Sequence, residues 1–381
     1  MSFGFRAEHE ELKAAAVAFA RRSLAVDITA GDRSATFSRQ GWKACAEFGV
    51  QGLPIPQRYG GRGESLLATI AVMEGLGYGC RDAGLLFSIN AHLWSVALPI
   101  LLYGSAAQKE RLLPGLCDGS RIGANAATEP DAGSDVFALR MRALPDGDGY
   151  VLTGTKTFVS NAPVADLFLT YATTDPARGV LGISGFVVER ATPGVAVRAE
   201  IDKMGLRTSP MAEVTFEEVR VSADDRLGRE GRGAEVFQSS MEWERGCILA
   251  SSLGAMQRQL EESIEHARRR KQFGQAIGKF QSVANRIVAM KLRLETARPL
   301  VYQIGWLKDE GRSAELEAAM AKLYVSEAFV ESCVDAIQIH GGYGYTTALP
   351  YERELRDAIG GTLYSGTSEI QRQIIATKLG L

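Results

Sequence analysis

The hydrophobic rhythm of the chain changes twice. From Glu8 to about Leu116 apolar residues return every three or four positions, as in Leu12-Ala15-Ala16-Phe19-Ala20 and again within Gln40–Phe48 and Leu66–Leu76. That spacing puts them on one face of a helix. A Pro/Gly-rich loop, Leu53 to Gly63, separates two of these segments. Ala83–Gly104 carries no acid, lysine or arginine and is long enough to span a bilayer. Ser88, Asn90, His92, Ser95 and Pro99 interrupt it, and no second such run follows, so it reads as a pair of buried helices. Near Ile122 the rhythm shortens to two. Tyr150–Thr153, Lys156–Val159, Leu167–Tyr171 and Ile183–Val188 read as strands, punctuated by Gly147–Gly149 and Thr192–Gly194. From Arg232 the helical period returns over Glu235–Arg268, Gln281–Gly311, Ser313–Gln338 and Ser368–Leu379. Four striped helices with short connections suit a bundle. The pattern predicts a mostly-α fold with an inserted β domain. The N-terminal helical domain is expected over 1–121, a β barrel or sandwich over 122–231, and a four-helix bundle over 232–381.

Composition narrows the function classes. A chain of 381 residues exceeds what one hydrophobic core normally organises. The net charge of −2 gives no reason to expect nucleic acid or an anionic membrane surface as a partner. The five cysteines and four histidines are scattered without metal or redox spacing, so no metal site is expected and a reducing cytoplasm is. The N-terminus, M-S-F-G-F-R-A-E-H-E-E-L-K, has acids where an export signal would be apolar.

Two stretches carry candidate chemistry. Ser239–Gly254 sets Glu242 and Glu244 among Met241, Trp243, Cys247, Ile248 and Leu249. Residues two apart on a helix point roughly 200° apart, so only one of the pair faces a given cavity. A carboxylate held against apolar neighbours gains the proton affinity of a base. Taken alone, both acids read as solvated surface groups. The second stretch, Ala124–Asp135, is rich in small and hydroxyl residues. Its Thr128 and Ser134 have the chemistry to meet a phosphate or a heterocycle edge. By spacing alone it is an ordinary capped turn. No G-x-G-x-x-G follows a strand, so a Rossmann nucleotide site is not supported.

T-E-P-D-A-G-S-D, Thr128 to Asp135, resembles the signature loop of the acyl-CoA dehydrogenase family. Lys156–Ala162, Asp202–Pro210, Arg270–Gln281, Gln338–Tyr345 and Tyr364–Arg372 are similar to further family segments, in the family's order. The resemblance runs essentially end to end. It implies a helical domain, a β-barrel domain and a C-terminal four-helix bundle, with FAD between them. Carried over position by position, it implies that Asn125, Ala127 and Thr128 line the flavin ring and that Ser134 meets the pyrophosphate. Phe158 and Ser160 stand where the family usually has Trp and Thr on the flavin's other side. The resemblance further implies that Arg270, Gln272, Phe273, Gln338, Gly341 and Gly342 come from a neighbouring subunit of a dimer or tetramer. Thr367 and Glu369 are expected to approach the FAD of their own subunit.

The same resemblance gives Glu244 a role. Many family members place the catalytic glutamate just before the G-T-S segment, where this chain has Ser365. A minority use a glutamate followed by arginine at the start of the bundle, and Glu244-Arg245 matches that position, with Arg245 expected at the substrate. The implied reaction is α,β-dehydrogenation of an acyl thioester: Glu244 takes the Cα proton while hydride leaves Cβ for the flavin. Asn161–Thr174 and Phe237–Cys247 are similar to dehydrogenases acting on aminoacyl groups, notably prolyl, tethered to a carrier protein in natural-product pathways. Asp202–Pro210 and Ile339–Thr347 are closer to general acyl-CoA dehydrogenases. An ordinary enzyme of short or branched acyl-CoA therefore stays open, as do an oxidase and a non-catalytic flavin- or thioester-binding protein. The electron acceptor is expected to be an electron-transfer flavoprotein or oxygen.

Overall fold

A computed structural model describes residues 4–25 and 27–381. Residues 1–3, where the segment weighed as an export signal begins, lie outside the described residues. The first part is helical: α1 (Ala7–Ser23), α2 (Ile28–Ser34), α3 (Arg39–Phe48), α4 (Leu66–Gly79), α5 (Ala83–His92), α6 (Leu98–Tyr103) and α7 (Ala106–Cys117). Side-chain oxygens of Ser38, Ser65, Asp82 and Ser105 accept backbone N–H groups at the starts of α3, α4, α5 and α7. Each satisfies a donor that the helix itself leaves free.

α5 and α6 are not the expected pair of separate helices. They form one helical run through a π-helical turn, Leu93–Ala97, in which the Leu98 N–H reaches back to the Leu93 carbonyl. Pro99 explains the irregularity, because it has no N–H to return to the preceding turn. The Trp94 carbonyl instead accepts the Ser240 hydroxyl at 3.4 Å. The run is long and apolar enough to cross a membrane, yet 78% of its apolar window is buried inside the fold. Trp94, Val96 and Ala97 are fully buried.

The second part is a sheet of β1 (Gly123–Ala126), β2 (Arg142–Asp146), β3 (Gly149–Ser160), β4 (Leu167–Thr173), β5 (Ile183–Glu189), β6 (Val195–Glu200), β7 (Met211–Ser222) and β8 (Arg226–Leu227). Its order is β6-β7-β3-β2-β4-β5-β8, with β1 parallel to β4. The two segments expected as separate strands, 150–153 and 156–159, are one strand with register shifts at Leu152/Gly154 and Lys156/Val159. The shifts restart the alternation, so a period-two reading breaks there. The sheet wraps its own core of Leu152, Phe168, Phe186, Val214 and Phe216. Residues of β4 pointing the other way, Leu167, Leu169 and Tyr171, join the main core with the helices.

The last part holds α8 (Gly233–Cys247), α9 (Ala250–Arg269), the short hairpin β9 (Lys271–Gln272) and β10 (Gln275–Ala276), then α10 (Gln281–Asp309), α11 (Glu315–His340), α12 (Gly342–Tyr345), α13 (Tyr351–Gly360) and α14 (Ser368–Lys378). The helix expected over Glu235–Arg268 breaks at Ile248–Leu249, both buried. Past the break α9 lies against α4 in backbone contact. A Cβ on Gly77 would stand 1.8 Å from the Ser251 carbonyl oxygen, and one on Gly254 2.0 Å from that of Glu74. That approach excludes any side chain at either position.

Candidate active site

Helix α8 settles which acid turns inward. Glu242 accepts the Ala314 N–H at 2.7 Å and pairs with Lys308 at 2.6 Å, so it holds the start of α11. Glu244 faces the other way and is 8% exposed. Ser95, on the π-helical turn, donates its hydroxyl to Glu244 Oε2, and Ser365, in the loop before α14, donates to Oε1. Burial pushes the Glu244 carboxyl above its ordinary range. The two hydroxyls, then the Arg245 and Lys322 charges, pull it back.

The loop that carries Ser365 is held by its carbonyls. Arg245 Nε donates to the Ser365 carbonyl at 3.0 Å, Lys322 Nζ to that of Gly366 at 2.6 Å, and Gln371 Nε2 to both. Ser365 is left-handed at φ 56°, a conformation rare outside glycine. Burial, then the neighbouring Arg245, brings the Lys322 ammonium down to about 8. Tyr171 and Tyr364 also face Glu244, and their hydroxyls are raised by burial and by its charge. Tyr171 Oη is buried with no hydrogen-bond partner in the chain. A buried polar atom left this way is costly, and a bound molecule can satisfy it.

The 124–135 loop is pinned from below. Glu129 accepts the Arg140 and Met141 N–H groups at 2.6 and 3.0 Å, and Lys156 Nζ at 2.8 Å. Lys156 also donates to the Ala127 carbonyl at 3.0 Å, and the Thr157 N–H to that of Thr128 at 2.8 Å. These bonds bring Ala127 and Thr128 beside the end of β3. There Phe158 is left-handed at φ 54° and 60% exposed, and Ser160 is half-buried. Asn161 Nδ2 donates to the Ser88 and Gly123 carbonyls at 2.9 and 3.4 Å, tying this edge to α5 and β1. Asn125 Oδ1 is buried and unpartnered, while Ser134 is exposed at the loop's outer end. Ala127 and Thr128 are thus tied to the end of β3 that carries Phe158 and Ser160, and Asn125 lies just before them on β1.

The other expected residues stand apart in the single chain. Arg270, Gln272 and Phe273 sit on the exposed 270–276 hairpin, with Phe273 93% exposed at φ 50°. Gln338, Gly341 and Gly342 are exposed at the end of α11, and a Cβ at either glycine would meet nothing within 4 Å. Thr367 caps α14, and Glu369 is exposed in its first turn. A cleft of about 440 Å³ lined by Asp32, Lys203, Arg207, Arg353 and Arg356 lies elsewhere, and Glu244 is not among its lining residues. Among the described residues no cluster of metal ligands is present, and all five cysteines are buried and free.

Sequence reasoning missed Ser95, Tyr171, Lys322 and Gln371. A signal existed for two of them. Ser95 interrupts an apolar run, and Lys322 is the lone charge in A-A-M-A-K-L-Y-V.

A three-domain fold with a buried glutamate at the helix–sheet junction defines an acyl-CoA dehydrogenase scaffold, and comparison with known proteins agrees. The N-terminal, middle and C-terminal domains of acyl-CoA dehydrogenase match residues 6–120, 124–219 and 231–380. The chain belongs to the acyl-CoA dehydrogenase family. It is 48% identical to an L-prolyl-[peptidyl-carrier protein] dehydrogenase of Pseudomonas fluorescens, over 92% of each chain. The crystal structure of the prolyl acyl carrier protein oxidase AnaB superposes with a TM-score of 0.98 at 51% identity, covering 99% of this chain and all of the other. PigA with FAD and proline superposes with a TM-score of 0.97 at 42% identity, over the full length of both.

Proposed function

We propose that the protein is an FAD-dependent dehydrogenase that forms an α,β double bond in a prolyl thioester tethered to a carrier protein in a natural-product pathway. The observation that carries this reading is Glu244, buried and held at both oxygens where the helices meet the sheet. Glu244 takes the Cα proton of the thioester as general base. Arg245 fixes the Ser365 carbonyl through Nε, and its remaining guanidinium nitrogens are the donors we assign to the substrate. Tyr171, buried and unpartnered beside Glu244, offers its hydroxyl to the bound substrate. FAD, when bound, supplies the acceptor for the hydride that leaves Cβ.

The residues fit that cofactor. Asn125 Oδ1 needs a donor from outside the chain, and Phe158 offers an exposed ring beside Thr128 and Ser160. Asn125, Ala127, Thr128, Phe158 and Ser160 hold the ring system, and Ser134 meets the pyrophosphate. Thr367 and Glu369 reach the same FAD. Arg270, Gln272, Phe273, Gln338, Gly341 and Gly342 reach across from a second copy in a homodimer or homotetramer. An aromatic side chain 93% exposed, as Phe273 is, contributes little to its own fold, which supports a place in such an interface. Electrons pass on to an electron-transfer flavoprotein or to oxygen. Five free buried cysteines suit a cytoplasmic enzyme.

The test is mass spectrometry of the prolyl group after incubation of the yellow protein with prolyl-loaded carrier and an electron acceptor. Loss of two hydrogens from the prolyl group is the expected result. An unchanged mass, with the flavin still oxidised, would overturn the reading.

A further inference from the structure

The expected base does not stand alone, and one of its two partners comes from the π-helical turn of the helical domain. One extra residue in a helical turn rotates every residue after it by about 100° relative to a helix that continued regularly from α5 into α6. The π turn at Leu93–Ala97 contains one residue more than a regular turn, and it lies where Pro99 removes a backbone donor. Its middle residue is Ser95, 2% exposed, with its hydroxyl on Glu244 Oε2. The adjacent Trp94 carbonyl accepts Ser240, one turn before Glu244 on α8. The irregular turn therefore meets α8 at two consecutive residues.

We propose that the π-helical turn delivers Ser95 as a positioning residue for Glu244, so that Ser95 and Ser365 clamp one carboxylate oxygen each. This rests on Glu244 being the base. Hydroxyls suit the task better than a fixed cation would. A serine donates to the carboxylate before proton uptake and accepts from the carboxylic acid afterwards, by turning its O–H. The clamp holds the side chain in both states without a fixed charge on either oxygen.

The groups facing Glu244 are Arg245 on its own helix, Lys322 on α11, Tyr171 on β4, Tyr364 beside Ser365, and the two serines. Burial favours the protonated form, and the hydroxyl donors, with the cations, favour the ionised one. Ser95→Ala removes a donor to the ionised form. The acid limb of kcat/KM for flavin reduction by prolyl-loaded carrier then moves up by about one pH unit, a loss near tenfold on that limb and less above it. Ser95→Thr restores the wild-type limb. The infrared band of the protonated carboxyl, assigned by its absence in Glu244→Gln, shifts to higher pH in parallel. A limb and band that stay at the wild-type pH in Ser95→Ala would overturn the proposal. If that variant loses flavin, Ser365→Ala carries the same test, because it removes the second donor without touching the helix. Glu244→Gln separates the two ideas: full activity in it refutes the base, whereas an inactive Glu244→Gln beside an unshifted Ser95→Ala refutes only the clamp.

Discussion

Ser365 donates its hydroxyl to Glu244, so two positions 121 residues apart in sequence meet at one point. They are the two places from which the family resemblance implies a base. In this chain the serine at one of those places hydrogen-bonds the glutamate at the other.

Glu244→Gln keeps volume and hydrogen-bonding capacity but cannot accept the proton. It is expected to retain FAD and slow flavin reduction by about 10²–10⁴-fold. Ser365→Glu in that background places a carboxylate at the same point and should recover part of the rate. Glu242→Gln is the control. It breaks the Lys308 pair and weakens the bond to Ala314 N–H, so thermal stability should fall while the chemical step stays near wild type. Stopped-flow flavin bleaching and thermal melts read the three variants. A slow chemical step in Glu242→Gln with a normal one in Glu244→Gln would reverse the assignment.

Arg270→Ala and Phe273→Ala test the second subunit. Both side chains are exposed on the hairpin, where Phe273 meets the Phe280 ring edge-on at 6.0 Å between centroids. If both serve a neighbouring copy, FAD content and oligomer size fall together, while the helical circular-dichroism signal holds. Flavin absorbance per protein and light scattering after gel filtration measure this. Full FAD in a dissociated monomer would break the link.

Much of this architecture is legible in residue spacing, because the change from period 3.6 to period two and back reports which faces are buried. The helical-strand-helical order follows from it. What resisted reading depends on contacts between distant segments. Nothing local says that Ser95 forms a bond and is not merely a break in an apolar run, because its partner is 149 residues away. The two register shifts of β3 hide one strand as two. Helix α13 was not picked out, although it carries Glu354, which closes a buried network with Arg258 and Gln259 at 3.0 and 2.5 Å. Nothing in the local sequence marks Glu129 out, and its pairing with Lys156 from β3 shows that it anchors the loop. Apart from the buried Ala127, the residues assigned to FAD by resemblance are half-buried or exposed in the single chain, so burial patterns do not reveal them.

His92 predicts acid lability. Its Nε2 meets the Leu116 carbonyl at 3.0 Å while Nδ1 accepts the Gly123 N–H at 3.0 Å, so the neutral tautomer with hydrogen on Nε2 fits both. Burial holds its pKa down at about 4, against 6.5 for the free group. A depressed folded value means that the unfolded chain binds the proton more readily. The stability from this group is complete above 6.5 and lost as the pH falls toward 4. The full span is roughly 3 kcal/mol at most. His92→Gln, which keeps an N–H for Leu116, should melt below wild type at neutral pH, with the gap closing in acid. A gap that stays constant across that window would rule out titration of His92 as the cause.

The last prediction concerns how the substrate arrives. A CoA thioester brings an adenosine 3′-phosphate that must be held at the mouth of the site, whereas a carrier brings the same pantetheine arm on a folded acidic protein. The arm and the acyl group are common to both, so on the proposed reading Glu244, Arg245 and Tyr171 would meet the same atoms in either. Discrimination must come from outside the Glu244 site, through weak contacts between charged surfaces that salt screens over about 10 Å. The comparison is kcat/KM for one prolyl group presented on CoA, on bare pantetheine and on its carrier. The carrier form is expected to lead by at least tenfold, roughly 1.4 kcal/mol of transition-state stabilisation. Its advantage over pantetheine should shrink as salt rises, while the pantetheine rate itself barely moves. Glu244→Gln should depress all three forms by a similar factor, because the chemical step is shared. Equal or better turnover of prolyl-CoA would place this protein with the acyl-CoA enzymes of its family.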